Sequence, residues 1–166
     1  MGRLVDLRLP ASFVIERVMP TSAEIAYGVQ HGWLSRQDAI AVALAKYEAG
    51  TELNSAEEEL ALLLSDDVDH LGDLIADLAV SDEPPERRAR LWLFLALASL
   101  REHRSQYADP LGVIEMLYAD FDYPDEIRGL VRYMPARPGE TASIEGVERR
   151  WQEYVDRVGT EYRHRD

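Results

Sequence analysis

The sequence of 166 residues contains no cysteine. Disulfides, thiol catalysis and cysteine metal sites are therefore excluded, and we expect the protein in a reducing compartment, the cytoplasm. The first twenty residues contain Asp6 and Glu16 and no continuous apolar stretch, so they do not predict a secretion signal. No apolar run approaches the roughly 20 residues that cross a bilayer, so we expect no membrane partner.

Basic residues are also scarce. The chain has 18 Lys and Arg against 31 Asp and Glu, which gives a formal net charge of -13. No Lys or Arg lies between Lys46 and Arg87, and none lies between Arg104 and Arg128. Because nucleic acids and anionic lipids are bound through basic surfaces, this distribution argues against both as partners.

One stretch is apolar on every side. Leu91 to Ala98 contains no polar residue, and it is rich in Leu and Ala, which favour helix over strand. A helix that is apolar all round is buried on all sides. We therefore predict a central buried helix from Arg87 to Arg104, surrounded by about eight short helices in a single compact all-α domain over residues 1–166.

Helix boundaries are marked by caps. Predicted N-caps are Thr21, Ser35, Ser55 and Ser65, and Gly32 and Gly50 are predicted to end helices. In the helix that begins after Ser35, the spacing predicts a buried face of Ile40, Ala43, Leu44 and Tyr47. A closing helix is predicted from Ser143 onward.

The chain ends are harder to interpret. Residues 1–20 are uncertain, because Leu4 to Leu9 alternate like a strand while Ser12 to Met19 suggest helical turns. Residues 159–166 are expected to fray.

The helix after Ser65 carries an acidic ridge. Val68, Leu71, Leu74, Ile75 and Leu78 share one face at helical spacing, and acids occupy the other. Such a face serves solubility in many proteins, but here no basic residue relieves the repulsion between like charges. We therefore interpret the ridge as a binding surface for a basic protein, formed by Asp66, Asp67, Asp69, Asp73 and Asp77.

A second candidate surface lies in the other interval without basic residues. Aromatic side chains alternate there with acids, a composition typical of interface anchors. We call it the tyrosine–acid patch: Tyr118, Asp120, Asp122, Tyr123, Asp125 and Glu126.

Metal binding is weakly indicated. Asp67, Asp69 and Gly72 match the opening of a calcium loop, but Leu78 stands where the bidentate Glu belongs. His70, Asp73 and Asp77 could share a helix face, yet no histidine pair supports a metal centre. We expect no cofactor, no bound metal and no enzymatic activity, because no nucleophile elbow or phosphate-binding glycine loop is present either.

Two stretches, GVQHGWLSRQDAIAVALAKYEAG (28–50) and PLGVIEMLYADFDYPDEIRGLVRYMP (110–135), resemble a family of small bacterial proteins of unknown function encoded beside polymorphic toxins. The resemblance implies an immunity protein that binds and blocks one cognate toxin domain. Many such toxins are nucleases with basic clefts, which an acidic inhibitor could occupy. The alternatives are an acidic helical interaction or regulatory module with no toxin partner and, as a third class, an enzyme with a carboxylate-held metal.

Overall fold

A computed structural model describes residues 4–63, 68–132, 134, 138 and 143–165. These ranges contain helices and no strand, which confirms the predicted all-α class. Two 3₁₀ helices, Arg104–Gln106 and Asp125–Leu130, flank the seventh α-helix. The α-helices are α1 (Ala11–Arg17), α2 (Ser22–Gln30), α3 (Arg36–Glu48), α4 (Ser55–Ala61), α5 (Val68–Leu78), α6 (Pro85–Glu102), α7 (Pro110–Asp120) and α8 (Ile144–Arg163).

Most of the predicted caps that can be described are present. Thr21 forms a capping box with Glu24 at the start of α2, and Ser35 caps α3 by accepting from the backbone N–H of Asp38. Gly32 and Gly50 follow α2 and α3 at φ values of 79° and 77°, in the left-handed region that glycine adopts without strain. These signals are local in sequence, and the predicted helix ends follow from them.

The predicted cap of α4 is wrong by one residue. Asn54, not Ser55, is the N-cap, and its side chain accepts from the backbone N–H of Glu57. Asn caps a helix as well as Ser does. This places Glu57 at the third helical position, but its side chain does not complete a capping box and pairs instead with Lys46 and Ser22.

The described chain falls into two compact units. The first contains Arg8–Trp92 together with Arg165, and the second contains Leu93–His164 together with the N-terminal segment up to Leu7. Helix α6 contributes residues to both. All residues from Leu91 to Leu100 are buried, which confirms the predicted buried helix, although it runs from Pro85 to Glu102 rather than from Arg87 to Arg104.

In the first unit, two tryptophans organise the core. The Trp92 indole donates to the carbonyl oxygen of Glu24 at 2.8 Å, and Gly28 lies directly against its ring. Trp33 is fully buried, and its carbonyl oxygen accepts from the backbone N–H of Leu9 at 2.9 Å. Residues 4–10 form no strand, so the alternation of Leu4 to Leu9 does not indicate sheet pairing.

The buried face of α3 differs from the predicted one. The structure buries Ala39, Val42, Ala43 and Lys46, whereas Leu44 and Tyr47 remain 37% and 49% exposed. Helix α4 packs against α3, and its Glu57 forms an ion pair with Lys46. Because Glu57 neutralises its charge, Lys46 can be buried. The buried face of α3 is therefore rotated relative to the face that hydrophobicity alone predicts.

In the second unit, α8 packs on the later part of α6. The Trp151 indole donates to the carbonyl oxygen of Leu97 at 3.1 Å, and the Phe94 and Tyr162 rings lie 5.4 Å apart. The closing helix begins where the sequence predicts, and Ser143 is its N-cap. The helix continues to Arg163, and Tyr162 is buried, so residues 159–163 are part of the packed helix instead of the frayed tail we expected.

Beyond α8, Arg165 belongs to the first unit. Its guanidinium donates to both carboxylate oxygens of Glu24, at 2.9 and 2.6 Å, and to the carbonyl oxygen of Met19 at 2.9 Å. Glu24 is completely buried, so Arg165 neutralises a carboxylate that water does not reach.

Candidate protein-interaction surface

Helix α5 displays acids on its outer side. Leu71, Leu74, Ile75 and Leu78 are buried, whereas Asp73 and Asp77 are exposed. The two aspartates are one helical turn apart, so their carboxylates share a face. Of the remaining predicted ridge residues, Asp66, Asp67 and the side chain of Asp69 lie outside the described residues, as does the predicted cap Ser65.

Helix α4 extends this acidic surface. It packs against α5 and exposes Glu58 and Glu59, while Leu60 and Ala61 are buried. The Nε2 atom of His70 on α5 lies 3.2 Å from Oε2 of Glu59 on α4. The exposed sides of the two helices are therefore continuous, and we call Glu58, Glu59, Asp73 and Asp77 the α4–α5 acidic face.

The two glutamates on α4 were not among the predicted site residues. They belong to the same interval without Lys or Arg, so their charge was visible in the sequence. Their position beside α5 was not visible, because it depends on how α4 packs. Helix periodicity identifies a face within one helix, whereas a surface shared by two helices requires the tertiary contact.

One acid of this interval has a different role. The Glu57 side chain is only 6% exposed, and it accepts from the Lys46 ammonium and from the Ser22 hydroxyl. A buried carboxylate with these partners stabilises the fold and is not accessible to a binding partner. The acidic interval therefore contains both structural and surface acids.

The structure does not support the calcium-loop hypothesis. Val68–Leu78 is an α-helix, so Asp69 and Gly72 are not in a loop that could wrap an ion. His70 contacts Glu59 rather than forming a group with Asp73 and Asp77. Across the described ranges, no three His, Asp or Glu side chains are grouped closely enough to hold a metal ion.

The tyrosine–acid patch is only partly on the surface. Tyr118 is buried, and its ring meets that of Tyr123 edge to face at a centroid distance of 5.2 Å. The Asp120 carboxylate accepts the backbone N–H groups of Leu4 and Val5, at 2.7 and 3.0 Å. Tyr118 and Asp120 therefore serve the packing of the second unit, and we correct their assignment as binding residues.

The other members of the patch are exposed. They form the turn after α7 and the start of the second 3₁₀ helix, and the Tyr123 side chain is 59% exposed. Asp122 and Tyr123 have positive φ values of 61° and 56°, an uncommon conformation for a bulky residue such as tyrosine. The exposed members are Asp122, Tyr123, Asp125 and Glu126.

These features define an all-α protein with an exposed acidic face on two packed helices. The chain belongs to DUF2247, a family described as an uncharacterized protein conserved in bacteria, whose family model matches residues 11–159. No curated protein and no solved structure gave a match to the chain. This match confirms the predicted membership of a bacterial family of unknown function. In the described part of the chain, no helix has the length and apolarity needed to cross a membrane.

Proposed function

We propose that this protein is a non-enzymatic immunity protein that binds and neutralises a cognate basic toxin domain. The observation that carries the proposal is the α4–α5 acidic face, because its four exposed carboxylates lie in an interval without any Lys or Arg. The association with polymorphic toxin loci comes from the resemblance of residues 28–50 and 110–135.

Electrostatics support a basic partner. Asp73 and Asp77 repel each other across one helical turn, and Glu58 and Glu59 add two more negative charges. A cationic surface docked on this face would relieve the repulsion. The net charge of -13 would also steer a basic partner toward the protein and raise the association rate at low ionic strength.

A nuclease toxin is the partner class that suits this chemistry best. Nuclease clefts are basic because they bind phosphates, and carboxylates on a rigid helix pair can occupy the same positions. The α4–α5 acidic face is held by the buried residues Leu60, Leu71 and Leu74. Its carboxylates are therefore presented without the entropy loss of ordering a flexible acidic tail.

Growth rescue tests the proposed function. The gene adjacent to this one in its bacterial source is examined for a secreted protein with a short basic C-terminal domain, and that domain is expressed with and without this protein. We expect the domain alone to arrest growth and co-expression to restore it. Absence of rescue by the full-length protein, with stable co-expression of both chains, would refute the immunity function.

A charge reversal locates the interface. Asp73→Lys/Asp77→Lys should reduce the association rate for the toxin domain by about tenfold or more at low salt and should weaken its salt dependence. The matched control is Glu145→Lys/Glu153→Lys, which changes the net charge equally at two exposed positions of α8. Equal association rates for the two variants would exclude the α4–α5 acidic face as the contact surface.

A further inference from the structure

A cavity of about 630 Å³ lies in the first unit, beside the end of α2, the start of α3 and the middle of α5. Its wall includes the apolar side chains of Val29, Leu34 and Ile75. Gly32 and Gly72 also line it, and a Cβ atom on Gly72 would meet nothing within 4 Å. The volume lies in the range of about 300–1,000 Å³ that is typical of small-molecule sites.

The charge of this cavity is opposite to that of the protein. Among the lining residues that the structure describes there is no Asp or Glu, although acids outnumber Lys and Arg by 31 to 18 in the chain. Arg8 and Arg36 do line it, together with the amide side chains of Gln30 and Gln37. The cavity wall is therefore cationic and rich in hydrogen-bond donors within a strongly acidic molecule.

Arg8 and Arg36 differ from other arginines of the chain in their bonding partners. Arg88 donates to three backbone carbonyl groups, and Arg132 donates to two carboxylates. Within the part of the chain that the structure describes, neither Arg8 nor Arg36 forms a hydrogen bond or ion pair. Two guanidinium groups are thus available to a ligand in one cavity of a protein with abundant carboxylates.

We propose that this cavity binds a small organic phosphate monoester. A guanidinium group matches the geometry of phosphate oxygens with paired N–H donors, and two of them balance the charge of nearly -2 that a phosphate monoester carries at neutral pH. The amides of Gln30 and Gln37 can bind further polar groups, and Val29 and Ile75 can pack against the apolar part of the ligand. This site is independent of the proposed toxin binding.

Phenyl phosphate is a suitable probe, with phenol and inorganic phosphate as comparisons. Binding to the full-length protein is measured by isothermal titration calorimetry and by chemical-shift changes in ¹⁵N-resolved spectra. We expect saturable binding of phenyl phosphate, weaker binding of inorganic phosphate and no binding of phenol. Absence of saturable binding of phenyl phosphate at millimolar concentration would overturn the proposal.

Substitutions distinguish the cavity from nonspecific attraction. Arg8→Gln and Arg36→Gln should each weaken phenyl phosphate binding by about tenfold or more, since each removes one charged hydrogen-bond partner. Arg149→Gln is the matched control, because Arg149 is exposed on α8 and does not line the cavity. Equal affinity of the control and the Arg8→Gln/Arg36→Gln protein would overturn the assignment.

A third variant tests the apolar wall without removing charge. A Cβ atom on Gly72 would meet nothing within 4 Å, so Gly72→Leu is compatible with folding and places a side chain in the cavity. We expect it to weaken phenyl phosphate binding by about tenfold while the thermal unfolding of the protein stays cooperative. Unchanged phenyl phosphate binding in Gly72→Leu would contradict a ligand seated in this cavity.

Discussion

The Lys46–Glu57 ion pair is the most deeply buried charged contact among the described residues of α3 and α4. The two side chains are 5% and 6% exposed. The Lys46 ammonium also donates to the carbonyl oxygen of Pro20 at 2.7 Å, and Glu57 accepts from the Ser22 hydroxyl at 2.6 Å. Because each charge has several partners, the desolvation cost of burial is offset, and loss of either side chain leaves the other charge unpaired.

We therefore expect Lys46→Met to lower the free energy of unfolding by about 3–5 kcal/mol, since it leaves the Glu57 carboxylate buried without its cation. Urea unfolding followed by circular dichroism measures the change. The double variant Lys46→Met/Glu57→Leu should lose less, because no uncompensated charge remains. The control is Glu59→Gln, which removes the charge from the exposed contact with His70 and should change stability by less than about 0.5 kcal/mol. A loss below about 1 kcal/mol for Lys46→Met would contradict this role of the pair.

The ion pair between Arg132 and Asp109 predicts that the stability of the fold depends on pH. Arg132 donates to both carboxylate oxygens of Asp109, at 3.1 and 3.0 Å, and to Glu115 at 2.7 Å. The hydrogen bond from Arg132 lowers the pKa of Asp109 below its usual value. A lowered pKa in the folded state stabilises the fold above the unfolded-state pKa of about 3.9, and this contribution is lost as the pH falls through the folded-state pKa.

NMR titration of the Asp109 carboxyl carbon checks this prediction. Its pKa should lie below about 3.9 in the native protein and should rise toward that value in Arg132→Gln. The difference in stability between the native protein and Arg132→Gln should shrink as the pH falls below about 4. Arg149→Gln should leave the pKa of Asp109 unchanged. An Asp109 pKa that does not respond to Arg132→Gln would show that the cause lies elsewhere.

At the scale of the helices, predictions succeed where the signal is local. The caps at Thr21 and Ser35 and the apolar face of α5 depend on residues within one or two helical turns, so the sequence predicts them. The face of α3 was mispredicted because Lys46 is buried only through its partner Glu57 on another helix. Charge neutralisation across a tertiary contact overrides the hydrophobic pattern.

The residues of the candidate site also fall into two groups, those whose exposure follows from one helix and those whose position depends on a tertiary contact. Asp73 and Asp77 are exposed as their helical spacing predicts, whereas Tyr118 is buried because it packs against Tyr123. The cavity with Arg8 and Arg36 had no sequence signal, since the two arginines are far apart in the chain and are brought together by the fold. Surfaces of a single helix are therefore predictable, but sites shared between segments are not.

Two helix glycines give opposite predictions. A Cβ on Gly28 in α2 would lie 2.2 Å from Cζ2 of Trp92, whereas one on Gly72 in α5 would meet nothing within 4 Å. We expect Gly28→Ala to lower the free energy of unfolding by about 1–3 kcal/mol through overpacking. Gly72→Ala should raise it by about 1 kcal/mol, because alanine favours helix.

Urea unfolding of the two alanine variants gives both free energies under identical conditions. The near-ultraviolet circular dichroism of Gly28→Ala should also change, because the Trp92 ring must move. A Gly28→Ala protein as stable as Gly72→Ala would mean that Trp92 does not constrain α2.

At the scale of the whole molecule, we expect repulsion among acids to be the dominant electrostatic term. The formal net charge is -13, and several of the basic residues are engaged in specific contacts, such as Lys46 with Glu57 and Arg165 with Glu24. Exposed acids such as Glu58, Asp73 and Asp77 therefore contribute a repulsion that salt screens. The two buried or partly buried pairs are screened much less, so their stabilisation persists when salt is added.

Added salt should therefore stabilise this protein. Between about 10 mM and 500 mM NaCl, we expect a gain of about 1 kcal/mol in the free energy of unfolding, which corresponds to about 2–4 °C in Tm for a chain of this length. In Asp73→Lys/Asp77→Lys, each substitution removes one negative charge and adds one positive charge, so the repulsion and the response to salt should both be smaller. Thermal unfolding of both proteins across the salt series measures the two slopes. A Tm that falls as salt is added to the native protein would mean that favourable ion pairs outweigh the repulsion, and the α4–α5 acidic face would then cost the free protein little.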